Sequence, residues 1–138
     1  MKTLNVFTDG ASRGNPGPAS IGIVFKDESG KVIFEKQKEL GKTTNNEAEY
    51  QALIHAMKHV NRYHPEKIIF YADSELMIKQ MRGEYKIKNP GIQKLFLEAW
   101  NRKIDLKKEI QFVEIPRERN KEADALANKA LDQGKLNI

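Results

Sequence analysis

Five short apolar runs alternate with helical patterns along this chain, in the order βββαβααβα. No run exceeds about six residues, against the roughly 20 needed to cross a bilayer, so no membrane association is expected. Period-two alternation and turn residues predict strands over Leu4–Thr8, Ala19–Lys26 and Lys31–Leu40. Gly10–Pro18 reads as a turn, with three glycines and two prolines, and Asp27-Glu28-Ser29-Gly30 as a tight hairpin. A helix is predicted from Thr44, where Thr44-Asn45-Asn46-Glu47 matches a capping box, to just before His64-Pro65. The nearly continuous apolar run Lys67–Ala72 reads as a strand covered on both faces. Helices follow over Ser74–Arg82 and Pro90–Lys103, then a strand over Glu109–Glu114 and a helix over Asn120–Gln133 with Asn120 as N-cap. Three hairpin-linked strands followed by crossovers imply an α/β fold. Its mixed five-stranded sheet has strands 1–3 antiparallel, strands 1, 4 and 5 parallel, and helices flanking it. No linker or repeat appears, so residues 1–138 are expected to form one domain.

That topology places side by side the ends of the first and fourth strands, and with them Asp9 and Asp73. Each follows an apolar run, where an unpartnered carboxylate is costly. Glu49 shares a helical face with Ala52, Leu53, Ala56, Met57 and Val60, and so points toward the sheet. Its neighbour Glu47 lies off that face and is explained by the capping box. Asp124 borders the inward face of the last helix, ahead of Ala127 and Leu131. Each acid alone admits a local role, as turn residue, cap or helix-dipole partner. Four at element ends suggest one site neutralised by a cation, and hard oxygen ligands favour Mg²⁺ or Mn²⁺.

Charge narrows the ligand. The chain carries a net +5, yet residues 79–108 alone hold nine basic and three acidic residues, a net +6. A basic strip beside an acidic centre suits a polyanion. Cysteine is absent, so there is no disulfide framework, and Met1 leads directly into a strand pattern without an apolar leader. A cytoplasmic protein is expected. His55 and His59 stand four apart but lack the H-E-x-x-H pattern of zinc proteases, and Gly10–Gly14 lacks the ending of a P-loop. Phe96 and Trp100 read as core.

Four segments together resemble type 1 ribonuclease H. They are Thr8-Asp9-Gly10-Ala11-Ser12-Arg13-Gly14-Asn15-Pro16-Gly17-Pro18, Thr44-Asn45-Asn46-Glu47-Ala48-Glu49-Tyr50, Tyr71-Ala72-Asp73-Ser74 and Asn120-Lys121-Glu122-Ala123-Asp124-Ala125-Leu126-Ala127. Their order and separations cover almost the whole chain. The resemblance implies a ribonuclease H-like fold and an endonuclease that cuts the RNA strand of an RNA–DNA hybrid, leaving 5′-phosphate and 3′-hydroxyl ends. It implies that Asp9, Glu49, Asp73 and Asp124 are the catalytic, metal-binding carboxylates for two Mg²⁺ ions, with Mn²⁺ as substitute. Asp9 would bridge the ions. Glu49 and Asp73 would hold the one near the leaving group, and Asp124 the one near the nucleophile. Hybrid binding would fall to Gly10, Ala11, Ser12, Asn15, Asn45 and Asn46 near the 2′-hydroxyls. Thr44 would meet a DNA phosphate, with Lys42 and Asn89 nearby.

The chain departs from the family pattern twice. Pro116-Arg117-Glu118-Arg119 carries no histidine where many members have one, so Arg117 is the expected phosphate contact. An arginine stays charged and cannot serve as a near-neutral base. The connection Gly83–Asn89 is short, without a long basic protrusion, and no separate hybrid-binding domain is expected in 138 residues. A monomer with no obligate protein partner is expected. The alternatives are a non-catalytic nucleic-acid-binding module of the same fold, or another nuclease of the wider superfamily.

Overall fold

The computed structural model describes residues 1–136. Strands β1 (Thr3–Ser12), β2 (Gly17–Lys26), β3 (Val32–Thr43), β4 (Lys67–Ala72) and β5 (Glu109–Glu114) form one sheet in the order β3-β2-β1-β4-β5. The β1/β2 and β2/β3 pairs are antiparallel, and β1/β4 and β4/β5 are parallel, which is the expected mixed sheet. Helices α1 (Asn45–Met57), α2 (Glu75–Met81), α3 (Pro90–Leu106) and α4 (Lys121–Leu136) cover it, with short 3₁₀ turns at Val60–Tyr63 and Arg117–Arg119.

The core lies between the sheet and α1. Leu4, Val6, Ile21, Ile23, Ile68 and Phe70 pack with Leu53, Ile54 and Val60, all essentially inaccessible. Each such side chain contributes about 1.5–3 kcal/mol over its exposed state. The opposite face of β1–β3 receives α4. Gly22 in β2 meets it so closely that a Cβ there would lie 2.0 Å from the Ala123 carbonyl oxygen.

Several boundaries differ from expectation. The first hairpin stays paired as far as Ser12↔Ala19, so its turn shrinks and Asp9 through Ser12 belong to a strand. Glycine and proline there mark close packing as much as chain reversal. The α1 helix stops at Met57, and the chain tightens into the 3₁₀ turn before Pro65. Only half of the capping box forms. The Thr44 hydroxyl accepts from Glu47 N at 3.2 Å, while the Glu47 carboxylate accepts from the Thr43 hydroxyl. Strand β4 is buried on its α1 face only. Ile69 and Tyr71 on the other face are half-buried, because α4 crosses β1–β3 and leaves β4 uncovered. Helix α3 runs on to Leu106 and ends at Lys107, whose φ of 52° terminates it.

Candidate active site

Asp9 pairs with Gly22, and cross-strand partners share a face, so Asp9 points to the α4 side of the sheet. Glu49 comes from α1 on the other side. The two meet because the residue between them is Gly10, whose backbone presses against α1. A Cβ at Gly10 would lie 2.2 Å from the Ala48 carbonyl carbon and 2.4 Å from Glu49 N. Without that Cβ, the Gly10 N–H donates to Glu49 Oε1, and the Glu49 carboxyl passes the strand to reach Asp9.

Asp73 follows β4. Ser74 is the N-cap of α2, accepting from Met77 N at 3.2 Å, so the Asp73 carboxylate is not used in capping. Oxygens of Asp9, Glu49 and Asp73 all lie within 4.8 Å of one another. Asp124, in the first turn of α4, stands beside Asp9 rather than within that triad. Asp9 and Glu49 are only 5% and 7% exposed, so their charges have little water to screen them. Burial, then Asp73 and Asp124, push the Asp9 carboxyl up to about 8, against a small opposing pull from Arg117. Burial, then Asp9 and Asp73, raise Glu49 well above the usual carboxylate range. Such a set is stable as protonated acids or around a cation. Hard, crowded carboxylate oxygens are the ligands a divalent Mg²⁺ or Mn²⁺ takes, so the residues fit a metal centre.

The acids line a cleft of about 450 Å³ together with Gly10, Ala11, Ser12, Asn45, Asn46 and Arg117. Ser12 N donates to Asn45 Oδ1 at 3.0 Å, and Asn45 N donates to Asn15 Oδ1 at 3.1 Å, tying β1, the hairpin turn and α1 together. Asn15 and Thr44 open instead onto a neighbouring cleft of about 430 Å³, shared with Lys86, Lys88 and Asn89, and Asn46 lies between the two. Lys42 is on neither. It lines a separate depression with Lys38, Thr43 and Gln51. Arg117 is largely exposed and stands 3.8 Å from Asp124 Oδ1.

Three residues near the acids lie outside the expected set of site residues. Arg13 and Asn128 line the acidic cleft, and Asn128 Nδ2 donates to the Asp124 carbonyl at 3.0 Å. Asn120 is the third. It is not a side-chain cap for α4. Its Nδ2 donates to the Thr8 carbonyl at 2.8 Å and to Asp73 Oδ2 at 3.0 Å, and its buried Oδ1 has no partner among the described residues. With 1% exposure it fixes one oxygen of Asp73 and leaves the other to face the cleft. Asn120→Ala is expected to weaken Mg²⁺ binding about 10–100-fold by titration calorimetry, as removing the support behind a ligand does. Unchanged affinity would make the contact purely structural.

A family model described as reverse transcriptase-like matches residues 7–130. A bifunctional protein of Mycobacterium tuberculosis is 38% identical over 133 residues, 96% of this chain. The chain spans only 36% of that relative's length. Ribonuclease HI of Halobacterium salinarum is 36% identical over 94% of this chain, which covers 64% of that protein. Among solved structures, an RNase H1 in complex with an RNA/DNA hybrid (LC11-RNase H1) superposes with a TM-score of 0.92 at 40% identity, covering 95% of this chain and 98% of the other.

Proposed function

This chain belongs to the type 1 ribonuclease H family, and we propose that it is an endonuclease hydrolysing the RNA strand of RNA–DNA hybrids with divalent metal. The observation that carries the proposal is the meeting of Asp9, Glu49 and Asp73 oxygens within 4.8 Å, with Asp124 beside Asp9, at the floor of an open cleft. Asp9, Glu49 and Asp73 would hold one Mg²⁺ or Mn²⁺ ion, and Asp9 with Asp124 a second. Bound metal supplies Lewis-acid polarisation of the scissile phosphate, a lowered pKa for the attacking water and charge relief at the departing 3′ oxygen.

The chain's own groups do the rest. Asn120 holds Asp73, and Gly10 N–H holds Glu49, so the ligands are oriented before substrate arrives. The Gly10–Ser12 backbone and the amides of Asn45 and Asn46 flank the cleft where an RNA strand would present its 2′-hydroxyls. An amide suits that group because it both donates and accepts. The adjacent cleft, with Asn15, Thr44, Lys86, Lys88 and Asn89, suits a phosphate of the DNA strand. Arg117 serves as a phosphate contact at the cleft rim, because a guanidinium suits a phosphate and not a proton shuttle. The products would be a 5′-phosphate and a 3′-hydroxyl, and the protein would act as a monomer in the cytoplasm.

The test is a cleavage assay on hybrid, RNA duplex and DNA duplex of matched sequence, with Mg²⁺, Mn²⁺ or chelator. Cutting confined to the RNA of the hybrid, and abolished by chelator, is expected. Binding without cutting in either metal would leave a hybrid-binding module instead.

A further inference from the structure

Besides the basic strip that stands out in the sequence, the fold assembles a second cationic face. Lys36 and Lys38 pair with Ile23 and Ile21, so they sit on the α1 side of edge strand β3. Beside them are His55 and Lys58 at the end of α1, and His59 and Arg62 around the following 3₁₀ turn. Within this group Lys36 Nζ stands 3.3 Å from His59 Nε2, and an Arg62 nitrogen 3.5 Å from His59 Nδ1. A neutral imidazole accepts at only one nitrogen, so one of the two contacts sets donor against donor. Burial and then the surrounding cations push His55 down to about 4 and lower Lys36 and His59 as well. Among the described residues, none of Lys36, Lys38, Lys58 and Arg62 forms an ion pair. In the strip over residues 79–108, Lys79, Arg82 and Arg102 have an acidic partner, and the other six basic residues likewise form no ion pair among the described residues.

Lysines on an edge strand also guard against sheet-to-sheet pairing. That accounts for Lys36 and Lys38 but not for Lys58 and Arg62, which belong to other elements and converge on the same spot. The face also has a stacking element. Half-buried Phe34 lies 5.1 Å from the His59 ring, with the Arg62 guanidinium 5.3 Å above the Phe34 ring. Cations interleaved with aromatic rings form the platform on which single strands are held. Lys58 lies nine residues beyond Glu49, roughly 13 Å along the helix axis. The face is therefore separate from the acidic cleft but rigidly linked to it.

We propose that the face formed by Lys36, Lys38, His55, Lys58, His59 and Arg62 binds the phosphate backbone of single-stranded nucleic acid, such as a tail running off the duplex held at the acidic cleft. It goes beyond the cleavage reading and takes from it only the choice of ligand. The experiment measures fluorescence anisotropy, in chelator, of a labelled blunt hybrid and of the same hybrid carrying a single-stranded tail. It compares the wild type with a variant combining Lys36→Gln, Lys38→Gln, Lys58→Gln and Arg62→Gln, and with the pair Lys36→Gln/Lys38→Gln. The wild type is expected to prefer the tailed hybrid about tenfold. The fourfold variant should show no such preference, and its salt slope should flatten by about 0.7 for each phosphate it no longer neutralises. The pair should fall between. Circular dichroism, blunt-hybrid affinity and blunt-hybrid cleavage in Mg²⁺ should not change. A tail preference that survives in the fourfold variant, or is absent from the wild type, overturns the proposal. So does a fourfold variant that binds polyglutamate more weakly but the tail as well as before, which would assign the face to an acidic protein. Failure of the cleavage reading shows separately, as an uncut blunt hybrid.

Discussion

Asp9→Asn is expected to lower hybrid cleavage by ~10³-fold or more while making the metal-free protein more stable at alkaline pH. The loss follows from position, since Asp9 lies in contact range of all three other acids and any ion bound among them needs its charge. The gain follows from linkage. Asp9 has a folded pKa of about 8 against an ordinary 3.8, so the native state binds the proton more tightly than the unfolded chain. Wherever the native state holds more protons, stability falls as pH rises. The Asp9 penalty is therefore absent below about pH 4, grows through the interval up to 8 and is complete above it. Glu49 is shifted in the same direction and adds to the trend. Asparagine cannot ionise and escapes the penalty. In chelator its melting temperature should exceed the wild type's by roughly 5–10 °C at pH 8, with the gap closing toward pH 4. Mg²⁺ should narrow the gap from the other side, by stabilising the wild type. Calorimetric melts across pH decide the matter. A variant less stable than wild type at pH 8 would mean that Asp9 is held by compensating donors, and that the acids do not repel.

How much of this was legible in the chain depends on the sequence distance over which each feature is built. The strand and helix patterns are local, and they yield the sheet order and the meeting of Asp9 with Asp73. Glu49 could be told from Glu47 because helical periodicity assigns them different faces. Asp-Gly at 9–10 looks like a turn, yet it lies within β1, because the requirement for glycine comes from α1 packed against it and not from its own φ. Asn120 precedes a helix and so reads as a cap. Its partners Thr8 and Asp73 are 112 and 47 residues away, and only the folded sheet brings them within reach. The second cationic face is invisible for the same reason. Lys36 and Lys38 sit among strand residues, some 20 positions before Lys58, and nothing along the chain announces that β3 and the end of α1 lie together.

Gly10→Ala tests that packing most directly. The added methyl would meet Ala48 C at 2.2 Å, and Ala48 O and Glu49 N at 2.4 Å. All three are backbone atoms, so no side-chain rotation relieves the clash. The first turn of α1 would have to retreat by about 1 Å or more to restore van der Waals contact. Yet α1 is pinned by buried Ala52, Leu53 and Ile54, and by Tyr50, whose hydroxyl donates to Gln80 Oε1 at 2.7 Å in the interior. The expected cost is about 3 kcal/mol, near the upper end for overpacking. That lowers the melting temperature by roughly 10 °C. Cleavage should fall about 100-fold even where the variant is fully folded, because a 1 Å displacement of a reacting constellation costs that much. The drop should come with weaker Mg²⁺ binding, since the helix that moves carries Glu49 and gives up the Gly10 N–H that held it. Gly22→Ala creates a comparable clash, with its Cβ 2.0 Å from Ala123 O, but it displaces α4 and Asp124 instead. If Gly10→Ala were destabilised yet cut hybrid at the wild-type rate below its melting point, Glu49 would not need its place beside Asp9, and the site would function without it.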